Sequence, residues 1–229
     1  MAATTPPSAI AAGGGAAAAI GWRAHSGWAA LVAVAGPLAA PVVVERRRVE
    51  LVERTAPGAA QPYHAARDLP PAEAERFVGR CRDASLSLAR QATAATAEAL
   101  RRGGFRLAAC GLLQSSARPL PAFAAVLASH ALVHTAEGEL FRDVLAVAAG
   151  EHGLAVLRVK EREILDRCAA GLGVAAGDLE RRLAELGRAL GPPWRQDEKL
   201  ATLVAWLALS SPQGPPGPPV PPARSAGRR

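Results

Sequence analysis

The strongest constraint on the fold lies near the middle of the chain. From Glu73 to Arg102 the apolar set Phe77, Cys81, Ala84, Leu88, Ala92, Ala95 and Ala99 steps by three and four residues, which predicts a long helix with one buried face. Gly103 and Gly104 end it, and FRLAACGLL at 105–113 follows with the length and apolarity of a buried parallel strand. A helix that delivers the chain straight into such a strand points to an α/β architecture.

The flanking segments complete the order. Residues 28–35, WAALVAVA, and 41–54, PVVVERRRVELVER, read as strands joined by the turn GPLAAP. The second carries Val42, Val43 and Val44 and then alternates through Val49 and Leu51, as a strand does when it leaves a buried centre for a sheet edge. DLPPAEAERF supplies a helix start, with Asp68 or Pro70 before the first turn. Downstream, a helix is predicted over 121–149, a strand over 154–161, and helices over 163–171, 176–190 and 196–209. With a first strand around Ile20 and Gly21, the order is β-β-β-α-β-α-β-α. That order predicts a mixed sheet of antiparallel hairpin strands extended by parallel strands, flanked by helices and linked by right-handed crossovers.

The folded body is expected over residues 19–209. An Ala/Gly-rich head over 1–18 and a Pro-rich basic tail over 210–229 offer little to bury and read as disordered. Within that tail, PPGPPVPP has the composition of a polyproline segment that a proline-reading groove would accept, or of a solvated end. The formal charge is +7, but setting aside Arg224, Arg228 and Arg229 leaves 24 basic against 20 acidic residues, or +4, in the remainder. That is a modest attraction for nucleic acid. Cys81, Cys110 and Cys168 lie far apart without CxxC spacing, which favours a reducing compartment. No secretory signal precedes the body, so a cytoplasmic location is expected, with no membrane partner. The uncharged run 26–44 contains Gly27, Gly36, Pro37 and Pro41 and reads as two strands and a turn. No glycine run is followed by Lys-Ser or Lys-Thr, which excludes a phosphate-cradling ATPase loop.

Three stretches carry candidate chemistry. In HALVHTAEGELFRD, residues 130–143, His130, His134 and Glu137 project from one side of a helix and form a workable ligand set for zinc or manganese. His130 is also in step with Phe123 and Leu127, which suits a packing histidine. His25 and Ser26 are adjacent, so on a strand they point to opposite faces and make a poor nucleophile pair; a turn between Trp22 and Trp28 is the plainer reading. In ERRRVE, residues 45–50, Arg46 and Arg48 share a strand face that suits phosphate contact. Glu45 and Glu50 flank them, and a solvated strand edge protected by charge fits equally.

The element order, the glycine in the first strand after Ile20, the EGELFR helix centre and the closing PPWRQDEKLATLVAWLAL resemble the ribonuclease H-like superfamily. Within it, they resemble the RuvC-type Holliday-junction resolvases. The resemblance spans residues 19–209 and implies a nuclease whose carboxylates hold two divalent ions about 4 Å apart. Those carboxylates converge from the first strand, the fourth strand and the last helix. Where the first-strand Asp is implied, GWRAH places Trp22, Arg23 and His25. Where the fourth-strand Glu is implied, Gln114 and Ser115 stand instead. In the last helix Asp197 and Glu198 are present, but Leu200 falls where the second acid is implied. Asp197 also lies where a helix begins, a position that favours an acid for capping alone.

Two functions remain open from these residues. One is a catalytically degenerate relative that binds nucleic acid or a protein partner, with a homodimer open and no cofactor expected. The other is a nuclease dependent on Mg²⁺ or Mn²⁺, with a site rearranged around Glu137, Asp197 and Glu198 and with His130 or His134 as further metal ligands.

Overall fold

A computed structural model describes residues 15–115 and 119–211 of the chain. Five strands, β1 (Ala16–His25), β2 (Trp28–Ala35), β3 (Val42–Glu50), β4 (Phe105–Gln114) and β5 (Ala155–Lys160), form one sheet in the order β3-β2-β1-β4-β5. β1, β2 and β3 pair antiparallel, while β4 and β5 extend the sheet in parallel from β1. This is the mixed sheet expected from the element order, with antiparallel hairpin strands extended by parallel strands and flanked by helices.

The helices are α1 (Pro62–Ala66), α2 (Pro71–Arg102), α3 (Phe123–Ala128), α4 (His130–Glu151), α5 (Ile164–Leu172), α6 (Ala176–Leu190) and α7 (Gln196–Ser210). They form a layer on each face of the sheet. Ala18, Ile20 and Trp22 of β1, with Leu31 and Leu112, pack against α2 and α4. Val32, Val34 and Leu113 pack on the other side against α5, α6 and α7. The alternation along β1 therefore decides which helix each of its side chains meets.

Several boundaries differ from the sequence expectations. β1 begins at Ala16, inside the stretch assigned to the head, so Gly21 lies mid-strand. The remainder of that head, residues 1–14, and the Pro-rich segment lie outside the described residues. The helix expected over 121–149 is two helices, because Ser129 adopts an extended backbone and its hydroxyl accepts from the Leu132 amide at 3.4 Å, capping α4. The buried stripe of α2 is rotated by about one residue from the predicted one: Ala74, Val78, Ser85, Ala89, Ala92, Thr96 and Leu100 are buried, and Ala84 and Ala95 are exposed. The threonine hydroxyls on that face find partners, while Ser85 Oγ has none, and the apolar count misled because it passed over all three. Thr93 donates to the Ala89 carbonyl at 2.9 Å, and Thr96 accepts from Arg47 at 3.0 Å. The three cysteines are unpaired. No helix among the described residues is long and apolar enough to cross a membrane.

One close contact positions α7. Gly21 and Gly111 are register partners on β1 and β4, and the α7 backbone crosses directly over them. A methyl group at Gly21 would meet the Ala201 carbonyl and lie 2.8 Å from the Ala205 amide nitrogen. At Gly111 it would lie 2.7 Å from the carbonyl carbon of Val204. Backbone cannot yield as a side chain can, so Gly21→Ala is expected to destabilise the fold by about 1–3 kcal/mol. Gly79→Ala, in α2 where an added methyl meets nothing within 4 Å, is expected to stabilise it by about 0.5–1 kcal/mol. Urea midpoints compare the two, and shifts of the same sign would contradict the close approach.

Candidate functional site

Arg23 and His25 lie near the C-terminal end of β1 and share the face that Gly21 presents to α7. Because α7 rests on that glycine, its first turn arrives beside them, and Asp197 meets both. The Arg23 guanidinium donates to Asp197 Oδ1, and His25 Nε2–H donates to the same oxygen at 2.8 Å. On its other side Arg23 holds Glu161 with two parallel bonds, Nε to Oε2 at 3.1 Å and Nη2 to Oε1 at 2.9 Å. Glu161 opens a single 3₁₀ turn directly after β5, so its position follows from the end of that strand. The arginine is thus clamped between two carboxylates, with its side chain 20% exposed.

Burial alone would raise the Asp197 carboxyl, but the hydrogen bonds from His25 and Arg23 outweigh it and hold the group below its ordinary value of 3.8. Glu198 does different work. Its Oε2 accepts from the Arg195 amide at 2.7 Å and caps α7, so the capping role weighed for Asp197 falls to its neighbour. At the end of the sheet, Trp28 is flanked by His25, stacked at 4.1 Å and 9°, and by the Arg48 guanidinium at 3.9 Å from its ring.

A pair of divalent ions does not fit this arrangement. Hard cations require converging carboxylate oxygens. Here a guanidinium occupies the first-strand corner, Gln114 ends β4, and Asp197 Oδ1 is already shared by two nitrogen donors. Sequence reasoning found Asp197 and Arg23, but it missed Glu161. An acid directly after a predicted strand end was the signal available for it.

The other predicted ligands lie elsewhere. Glu137, His130 and His134 sit on α4, which packs on the opposite face of the sheet from α7. Glu137 is buried, 3% exposed, and its Oε1 accepts from the His64 amide at 2.9 Å and lies 3.1 Å from His64 Nδ1. Burial pushes its carboxyl up, and the His64 hydrogen bonds oppose that. His64, in the loop helix α1, was not foreseen. The structure brings Glu137 together with His64, and His130 together with His134, but it does not bring Asp197 or Glu198 to any of them. Among the described residues, the one group able to present three metal ligands is His64, His130 and His134.

No protein-family model matches the sequence, and no curated protein sequence matches it. Among solved structures the chain is similar to Thermus thermophilus RuvC, at 15% identity and a TM-score of 0.46 over 83% of this chain and 92% of that one. It is likewise similar to T. thermophilus RuvC in complex with a Holliday junction substrate, at 13% identity and a TM-score of 0.47 over 83% of this chain and 90% of that one.

Asp197→Asn tests the network through its pH dependence. A carboxyl held below its ordinary value adds stability above that value and loses it as pH falls through the depressed one. The substitution is expected to cost about 1–3 kcal/mol at pH 7, in line with charge-assisted bonds that are partly buried. The gap from wild type should begin to narrow below about pH 4 and shrink further as pH falls. Urea unfolding at pH 7 and pH 3 measures both, and an unchanged gap at pH 3 would contradict the pairing.

Proposed function

We propose that this chain is a ribonuclease H-like protein that acts by binding and does not hydrolyse nucleic acid at the strand-end site. The observation that carries this reading is Arg23, bonded to Glu161 and Asp197 where the fold's nuclease chemistry would need converging acids. To admit a cation there, the protein would have to break both carboxylate contacts and leave the guanidinium unpaired, a cost of several kcal/mol when partly buried.

A protein partner suits the surface better than a phosphate backbone does. The basic run on β3 is internally engaged. Arg46 donates to the carbonyls of Leu190 at 3.0 Å and Gly191 at 2.9 Å, Arg47 to Glu45 at 2.6 Å, and Arg48 to Glu50 at 2.7 Å. Around the strand end, Arg23 is paired with Asp197 and Glu161, and Lys160 with Glu163. Phosphate binding draws on unpaired cations, whereas a surface of matched charges gives register and selectivity against another protein. A rearranged nuclease site uniting Glu137 with Asp197 is disfavoured by their placement on helices that pack against opposite faces of the sheet.

The test is a gel assay of four-way junction, flap and duplex DNA with the full chain in Mg²⁺ or Mn²⁺, beside Asp197→Asn. Intact DNA is the expected result. A retarded band without cleavage would transfer the binding role to nucleic acid. Cleavage that Asp197→Asn abolishes would overturn the non-hydrolytic reading.

A further inference from the structure

His64 of α1 and His130 and His134 of α4 converge although nothing in the strand-end site uses them. One ligand atom from each ring lies within 4.8 Å of the others. His130 Nε2 and His134 Nε2 are 3.0 Å apart. Two nitrogens bound to one tetrahedral zinc ion at 2.0–2.1 Å stand about 3.3 Å apart, so that pair already has the required separation. The three ring centroids lie 5.8, 4.6 and 4.5 Å apart pairwise, so the imidazoles form one cluster.

Glu137 supplies an independent observation. It is a buried carboxylate whose Oε1 takes the His64 contacts, while Oε2 has no hydrogen-bond partner. A charge held this way is costly unless something positive stands close by. With Nδ1–H of His64 directed at Glu137, the lone pair of that ring is on Nε2 and faces away from the carboxylate. A carboxylate behind a histidine in this manner fixes the tautomer and makes the outer nitrogen a better metal ligand.

We propose that His64, His130 and His134 bind one Zn²⁺ ion, with Glu137 as the positioning residue behind His64. Three imidazoles favour zinc and its neighbours in the first transition row over Mg²⁺ or Mn²⁺. The exposure of His130 and His134 leaves a fourth coordination position open to water or to a side chain of a partner. The ion would tie α1 to α4 across 66 positions of sequence from His64 to His130. This inference is independent of whether the strand-end site cuts or binds.

The test is calorimetric titration of ZnCl₂ into the chelator-treated full chain, with thermal melts in parallel. One ion per chain is expected, together with a higher melting temperature that depends on zinc. His130→Ala and His134→Ala alter exposed positions, so loss of binding in both reports on the site and not on folding. Glu137→Gln is expected to weaken binding by roughly tenfold to a hundredfold without abolishing it. No binding by the wild-type chain, or binding that survives His64→Ala, His130→Ala and His134→Ala unchanged, would overturn the proposal.

Discussion

The contact of the α7 backbone with Gly21 and Gly111 sets the geometry of one whole side of this protein. With any larger residue at either position, α7 would have to lift away from the sheet by the width of a methyl group. The consequences run through packing and chemistry together. Trp206 is fully buried under the helix, and its indole donates to the Leu38 carbonyl at 3.2 Å, which ties α7 to the β2–β3 turn. At the other end of α7, the same approach delivers Asp197 to Arg23 and His25. A helix start that would otherwise be exposed thereby becomes one wall of a charged network.

That network joins three elements through one cation. Arg23 at the end of β1 is bonded to Asp197 in the first turn of the last helix and to Glu161 directly after β5, so the strand end holds a set of ion pairs. A guanidinium forked between two carboxylates is a rigid structural element, since Nε, Nη1 and Nη2 each donate to a carboxylate oxygen. The strand end thus serves as a lock between β1, β5 and α7 and presents a charge-matched surface.

Much of the architecture was legible because it rests on local patterns. The glycine stop at 103–104, the apolar run of β4 and the limits of α6 follow from residues within a few positions of one another. β1 was harder, because its first residues, Ala16–Ala19, continue an alanine- and glycine-rich stretch that carries no strand signature; β4 pairing makes them a strand. The α2 face was misplaced because hydroxyls were counted as outward when Thr93 and Thr96 turn inward with partners. In the site, the absence of an acid from GWRAH was plain, but the clamp that Arg23 forms was not. Arg23 and Asp197 are 174 residues apart, and His64 lies 73 before Glu137 in the five-residue helix α1, too short for a periodicity to mark it. Long-range pairs of this kind are set by topology, which local sequence does not encode.

The most direct measurement is a titration of Mn²⁺ into the full chain followed by electron paramagnetic resonance of the free ion, with wild type and Asp197→Asn side by side. If Arg23 closes the strand end to divalent cations, the two proteins leave the same amount of Mn²⁺ free at every concentration. Mn²⁺ uptake by the wild type that disappears in Asp197→Asn would contradict it, by showing that the carboxylate is available to a metal despite its arginine.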